Sequence, residues 1–472
     1  MTTPTPPTAP SASPGSGANP FEKLLPRRSA GLKLILVCAL ALLMAVPAMF
    51  VYGVVHERTM GQTQALAEVS EKVGGQQAVI GPFISVPYAR APNPNKPNDV
   101  VYGHAIAFAE TGAVTADVTV TERKRGIYLV PVFESDLRFD AVVDPGTLRG
   151  AIPADATPIW ADARIYSGVS DTRGLRSGVS LTADGTTLPV EPAPKRTYSD
   201  PTTYSSVPAS AVHLAEARIP DLESREEPIR FTLNLDLSGA ERLSIAAFAK
   251  STTVDMTSNW DAPSFTGGVL PISHTVEDQN VDGFSARWDV PYLARGIPGA
   301  GARIDLNELT NWNARDMATR FVRPANPYQS VERALKYAAM FIGFVFLAYF
   351  LFEVTRKARA HPAQYVLVGL AQSIFYLLLL AFAERMGFDL AFLMAAGMTV
   401  GLISLYPVSV FKSLATGLKA FAALGGIYGL IYVLMRAEDQ ALLAGAIASF
   451  AAISVTMFMT RNIDWYGDRQ AA

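Results

Sequence analysis

Six long apolar runs, separated by one polar interval of roughly 280 residues, constrain this chain more than any other feature. The first, Leu34 to Val55, reads LILVCALALLMAVPAMFVYGVV, 22 residues without a charge. At about 1.5 Å per residue, a helix of that length crosses a hydrocarbon layer about 30 Å thick. A cleaved signal peptide competes for the same residues. Its apolar core is normally about 7–15 residues long, whereas here the run is longer, over thirty residues precede it and no A-x-A pattern follows closely. A retained anchor is therefore expected. Five further runs follow the polar interval: Ala338 to Phe352, Tyr365 to Ala383, Ala391 to Phe411, Phe421 to Met435 and Ala441 to Met459. Composition agrees, since 17% of the 472 residues are charged and 50% hydrophobic, against roughly 25% charged in a soluble domain.

Lysine and arginine in the short loops orient the spans, because cytoplasmic loops carry the excess. Lys23, Arg27, Arg28 and Lys33 precede the first span; Arg356, Lys357 and Arg359, then Lys412 and Lys419, then Arg461 and Arg469 fall on the same side. The opposite loops, Glu384-Arg385-Met386-Gly387 and Arg436-Ala437-Glu438-Asp439, each carry one arginine and at least one acid. Both termini are expected in the cytoplasm, with the interval from His56 to about Arg333 outside. Residues 56–333 hold 26 Lys+Arg against 34 Asp+Glu, a net −8, and the remaining 14 against 8 give +6. The overall −2 is their sum, and with no global basic excess nucleic acid is not an expected partner.

The expected organisation is a disordered cytoplasmic tail at 1–30, rich in Pro, Ser, Thr and Gly; a span at 32–55; an external β-rich domain at 56–333; five spans within 334–460, at about 336–354, 365–383, 391–411, 418–435 and 441–459; and a cytoplasmic tail at 461–472. In the external domain, Leu66, Val69 and Val73 repeat at helical spacing before Gly74-Gly75, a helix stop. Thereafter the period is two: Phe231, Leu233, Leu235 and Leu237 alternate with polar residues, as do Phe284, Ala286, Trp288 and Val290, and Asp117 to Thr121 and Ile127 to Phe133 read similarly. With turn residues between such stretches, the fold class is an α+β membrane protein whose external part is a mainly antiparallel, sandwich-like β domain.

No catalytic constellation emerges. The histidines His56, His104, His213, His274 and His361 lack zincin spacing, His56-Glu57-Arg58-Thr59-Met60 ends in Met where the second ligand should stand, and the lone Cys38 can form neither an internal disulfide nor a thiolate cage. Gly174-Leu175-Arg176-Ser177-Gly178 sets its serine one place late for a nucleophile elbow. Gly299-Ala300-Gly301 lacks the rest of a dinucleotide fingerprint. No cofactor or metal is expected. Glu353, Glu384, Asp389, Lys412 and Lys419 sit at or beyond the estimated span ends, which reads as solvated helix termini. Small residues at four-residue spacing, Gly397/Gly401, Gly425/Gly429 and Gly445/Ser449, lead to the expectation that the last three spans pack together within one chain, with packing between chains as the alternative. Tyr406-Pro407 is expected to kink the fourth span.

Several stretches are distinctive: RALKYAAMFIGFVFLAYFLFE from Arg333, HPAQYVLVGLAQSIFYLLLLAFAERMGFDLAF from His361, RAEDQALL from Arg436, RNIDWY from Arg461, GGQQAVIGPFISVPY from Gly74, SNWDAPSFTGGVLP from Ser258 and GFSARWDVPYLAR from Gly283. In these the chain resembles the CreD family of bacterial inner-membrane proteins, described as cell envelope integrity proteins. The resemblance covers nearly everything beyond the first thirty residues. It implies one N-terminal span, a large periplasmic domain and several C-terminal spans, together with a role in an envelope stress response and in tolerance to agents such as β-lactams and colicins. It supplies no reaction and no catalytic residue. The positions matching its motifs are His361, Pro362, Tyr365, Glu384, Glu438, Asp439, Asp464, Trp465 and Tyr466, and externally Trp260, Pro263, Phe265, Gly283, Phe284 and Trp288.

The expected function is a non-enzymatic inner-membrane protein supporting envelope integrity. Its β domain would bind an envelope protein, lipid or peptidoglycan partner, and its helices would hold that domain at the bilayer. The alternative is a transporter or lipid-transfer protein that uses the five-helix bundle. An intramembrane enzyme would need polar groups gathered around His361 and Glu384, which lie about one span apart. Sequence leaves the oligomeric state open.

Overall fold

The computed structural model describes residues 30–91, 100–193, 212–278, 281–302, 316–321, 327–355, 360–411, 414–436, 441–463 and 465. The chain divides into two compact units, Met1–Thr59 with Ala325–Ala472, and Met60–Pro324. The first unit is helical. It contains α1 (Ala30–Leu43) and the start of α2 (Ala45–Val73), and beyond the β unit and its two short helices, α3 (Pro145–Ala151) and α4 (Tyr292–Arg295), it continues with α5 (Pro327–Lys336), α6 (Ala338–Thr355), α7 (Pro362–Met386), α8 (Phe388–Phe411), α9 (Leu414–Arg436) and α10 (Ala441–Thr460). Among the described residues, six helices are long and apolar enough to cross a membrane, one N-terminal and five C-terminal.

Two differences from the expected spans have simple causes. The first apolar run does not end as a separate helix near Val55. Only Met44 interrupts the helix between Ala30 and Val73, where Pro47 has no amide to offer the Leu43 carbonyl, and the polar residues from His56 onward keep the helical backbone although their hydropathy is low. The second span is preceded by α5, a short amphipathic helix whose Tyr328, Val331, Ala334 and Leu335 are buried, while its remaining positions carry the charges. At Tyr406-Pro407, where a kink is expected, the helix continues, since α8 runs through Pro407 to Phe411. The Pro-rich head and most of the C-terminal tail lie outside the described residues.

The second unit is built from strands β1 (Gln77–Arg90), β2 (Val101–Arg125), β3 (Tyr128–Val143), β4 (Ala156–Pro158), β5 (Arg164–Val169), β6 (Ser180–Ala183), β7 (Thr186–Leu188), β8 (Glu191–Pro192), β9 (His213–Arg218), β10 (Ile229–Ala240), β11 (Arg242–Ala246), β12 (Ala249–Ser258), β13 (Pro263–Gly267), β14 (Ser273–Asp278), β15 (Val281–Val290), β16 (Ala300–Gly301) and β17 (Asp316–Phe321). One sheet has the order β7-β6-β10-β3-β2-β12-β15-β14, antiparallel except where β12 runs parallel to β2. In the other, β1 pairs antiparallel with β5 and with the start of β2, and parallel with β11, which leads through β17 to β13. β2 therefore serves both sheets: Val101 to Phe108 pair with β1, and Thr111 to Arg125 pair with β3. The expected mainly antiparallel β domain is what the chain forms.

Burial alternates as predicted in β10, in β15 and through Asp117 to Thr121 of β2, and their inward side chains join a core between the sheets. The stretch Ile127 to Phe133 does not alternate: Ile127 is exposed in the hairpin turn, Val130 to Phe133 are buried without a break, and β3 alternates only from Glu134 onward. Leu66, Val69 and Val73 of α2 pack on Val130, Val132 and Ala240, so the helical spacing read in the sequence is a packing face. The helix ends at Gly74 and Gly75, with φ of 96° and 62°, a conformation that costs glycine little. The second motif glycine, Gly283, has φ 112°, and a Cβ there would stand 1.9 Å from the Ser258 carbonyl oxygen.

Trp288 is fully buried and donates its indole N–H to the Val269 carbonyl at 3.2 Å. Phe265 meets its edge at 5.7 Å. Trp288→Ala should cost about 3–5 kcal/mol, seen as a lower thermal midpoint of the full chain. A second expectation concerns pH. Asp171 caps the turn after β5; hydrogen bonds from the Arg173 side chain hold its carboxyl below the ordinary aspartate value against the upward push of burial, helped by the Arg173 backbone N–H. A depressed carboxyl stabilises the fold above its unfolded pKa, near 4, and loses that contribution as pH falls through its folded value. The gap in thermal midpoint between wild type and Arg173→Ala should thus be full at neutral pH and shrink below about pH 4.

Candidate functional site

The motif that opens α7 sets its site. Pro362 occupies the first helical position, where no amide is needed. His361 caps the helix: its Nδ1 accepts from the Ala363 N–H at 3.2 Å, and the Gln364 side chain accepts from the His361 N–H at 3.2 Å. This reciprocal cap turns the chain sharply and presents the Ala360 N–H to Glu353 of α6, 2.6 Å from Oε1. One turn into α7, the Tyr365 hydroxyl donates to Glu353 Oε2 at 3.0 Å. Lys33 of α1 completes the set with an ion pair to Glu353 Oε1, and its ammonium also points at the Ala360 carbonyl, 3.5 Å away.

Glu353 is only 2% exposed. It is therefore no solvated helix terminus, as the sequence suggested. α6 continues to Thr355, and the cap of α7 closes over the carboxylate, so three protein donors replace water. A buried charge requires such partners. Phe346 and Tyr349 pack against the Tyr365 ring at 5.5 and 6.2 Å, and the Tyr349 hydroxyl donates to the Ile403 carbonyl at 2.7 Å, adding α8 to the assembly. His361, Pro362 and Tyr365 thus all serve one helix start, with His361 and Pro362 forming the cap and Tyr365 reaching Glu353. Lys33 and Glu353 were not among the expected site residues. A usable signal existed: opposite charges at span ends that the loop arginines assign to one side.

Glu384 belongs to the other end of α7, 19 residues from Tyr365 and so about 28 Å along the helix. Its Oε1 accepts from the Tyr328 hydroxyl of α5 at 3.1 Å, with Arg58 Nε 3.9 Å away. Nearby in sequence, Asp389 of α8 pairs with Arg436 of α9 and accepts from the Tyr432 hydroxyl at 3.0 Å. His361 and Glu384 do not share a site. Glu438, Asp439, Asp464 and Tyr466 lie outside the described residues. The Trp465 carbonyl accepts from the Gly31 N–H at 3.4 Å.

The small-residue expectation needs correction. Beyond their own helix backbone, Gly397, Gly401, Gly425 and Gly429 have nothing within 4 Å of where a Cβ would sit. α8 and α9 meet instead through bulky rings, Phe392 on Tyr432 at 5.2 Å, and α7 joins them with Phe375 against Tyr428 at 4.9 Å and Phe392 at 5.7 Å. Aromatic side chains hold these helices apart by their own width, leaving the glycine rows on the outside. Gly445 and Ser449 of α10 face α6: the Ser449 hydroxyl lies 3.3 Å from Met340 Sδ. In the β unit, Trp260 donates its indole N–H to the Ala262 carbonyl at 3.1 Å, and both motif tryptophans serve the local fold. Among the described residues, no three His, Cys, Asp or Glu side chains are grouped to hold a metal.

Six apolar helices tied by polar side chains near their ends, joined to a large antiparallel β unit, define a polytopic α+β membrane protein. The family model described as Inner membrane protein CreD matches residues 29–466. A protein of Escherichia coli (strain K12) named Inner membrane protein CreD is 31% identical over 430 residues, 90% of this chain and 91% of that one. The chain belongs to the CreD family of inner membrane proteins.

Removing Glu353 strands Lys33 and the Tyr365 hydroxyl. Glu353→Ala should destabilise the helical unit by roughly 3 kcal/mol, and Lys33→Ala by less, since Lys33 is partly exposed. A double-mutant cycle on thermal midpoints should show the two changes to be non-additive.

Proposed function

We propose that this chain is a non-enzymatic scaffold of the cell envelope, with its β unit in the periplasm binding an envelope component and both termini in the cytoplasm. The observation that carries this reading is the state of Glu353. Among the described residues, the most deeply buried carboxylate of the helical unit has both oxygens engaged by Lys33, Ala360 and Tyr365, which suits a joint between helices. The −8 of residues 56–333 against the +6 of the remainder supports the orientation. The family name supports the compartment, and its association with envelope stress and antimicrobial tolerance suggests the process.

A second reading, transfer of a lipid or solute by the helices, is favoured by one observation. Gln372, near the middle of α7, is 3% exposed and its Oε1 has no hydrogen-bond partner, a costly arrangement in hydrocarbon unless something visits it.

The full chain with Cys38→Ser and a cysteine at the exposed hairpin residue Ile127 should react with a membrane-impermeant maleimide in intact spheroplasts; protection there, with labelling only after lysis, would reverse the orientation. A photoreactive residue at Thr119, on the exposed side of β2, should capture a lipid, glycan or protein in native membranes, and failure at several such positions would remove the binding role. Gln372→Leu should leave envelope-stress tolerance intact if the helices are a scaffold. Loss of tolerance with an unchanged thermal midpoint would favour transfer.

A further inference from the structure

Exposed sheet edges invite pairing, and proteins blunt them with short strands, prolines or lysines. Most edges of the β unit are treated in this way. β7 has three residues, β8 is the dipeptide Glu191–Pro192, β16 has two residues, and β13 begins with Pro263. From Ser273 to Val276 β14 is the exception, its charges Glu277 and Asp278 coming only at its end. Among the described residues it pairs with β15 alone, it spans six residues with neither proline nor lysine, and Ser273 to Val276 are all exposed. Large apolar side chains accompany it, with Ile272 64% and Val276 41% exposed. Ile272 already follows the strand's course, its N–H donating to the Arg287 carbonyl at 2.8 Å, and a register shift after Val276 closes the regular stretch.

The five residues Ile272-Ser273-His274-Thr275-Val276 form a chemical palindrome: β-branched apolar, hydroxyl, imidazole, hydroxyl, β-branched apolar. Antiparallel pairing with an identical strand, centred on His274, sets Ile272 opposite Val276 twice on one face and Ser273 opposite Thr275 twice on the other. Aliphatic pairs and Ser/Thr pairs are favourable cross-strand partners. Such a contact is isologous and closes with two-fold symmetry. An unrelated peptide would have no reason to match this pattern. We infer that β14 is a dimerisation edge, pairing antiparallel with β14 of a second copy of this chain so that the eight-stranded sheets of two protomers become one.

The test uses the full chain in detergent or nanodiscs, in a Cys38→Ser background. Opposite Cβ atoms in paired strands stand about 4.5–5.5 Å apart, close to disulfide reach, so His274→Cys should give a disulfide-linked dimer under mild oxidation while Ile127→Cys on the hairpin tip should not. Ile272→Lys should raise the dimer dissociation constant roughly tenfold or more, through two lost apolar pairs. Ile272→Lys combined with Val276→Asp should restore it, because each lysine then faces the partner's aspartate; rescue separates a lost interface from a damaged fold. A monomeric wild-type protein overturns the proposal. So does a dimer that lacks the His274→Cys cross-link or that ignores Ile272→Lys.

Discussion

Hydrocarbon offers no hydrogen bonds, and the helical unit is organised by that absence. Backbone groups within the spans must be satisfied by their own helix, and side chains that still carry polarity must find partners inside the protein. Hence the ties near the span ends: Glu353 with Lys33, Ala360 and Tyr365 at one end of α7, Glu384 with Tyr328 at the other, and Asp389 with Arg436 and Tyr432 between α8 and α9. Between the ends, rings do the packing. Without a hydrophobic drive between helices in lipid, the shape fit of Phe375, Phe392, Tyr428 and Tyr432 is what brings α7, α8 and α9 together.

The β unit meets the same requirement with water available on one side. Where a strand has one wet face, its side chains alternate, and β10 and β15 could be read directly from Phe231 to Leu237 and from Phe284 to Val290. β1 could not be read that way. Its first eleven positions are all buried, so it shows no alternation, and its sequence was informative only through likeness to relatives. The helix from Ala30 to Val73 was half legible for a related reason. Hydropathy marks where a helix meets lipid, whereas its length depends on backbone hydrogen bonds that polar residues such as Glu57 and Gln64 sustain equally well.

The candidate site was legible as residues and illegible as a role. His361, Pro362 and Tyr365 stand out as a motif, but a motif does not say that a capped helix start is being used to cover a carboxylate from another span. Glu353 looked like an ordinary polar terminus because a charge near the end of an apolar run usually reaches water. What decides otherwise is tertiary: the neighbouring cap closes the route, and Lys33 arrives from a segment 320 residues away. The glycine rows misled in the opposite direction. Spacing of four marks a face where close approach is allowed, and says nothing about whether a larger ring nearby already sets the distance.

β2 carries a consequence for how this protein comes into being. It pairs with β3 within a hairpin, but its other side is completed by β12, residues 249–258, in parallel, and β1 takes its parallel partner from residues 243–245. Neither ladder can close until well over a hundred further residues have been made and delivered. Non-local parallel pairings close slowly because the intervening chain must first be ordered, so during synthesis β1 and β2 wait with open edges. The assembly step, rather than the finished fold, is where this unit depends most on folding helpers and is most exposed to misassembly.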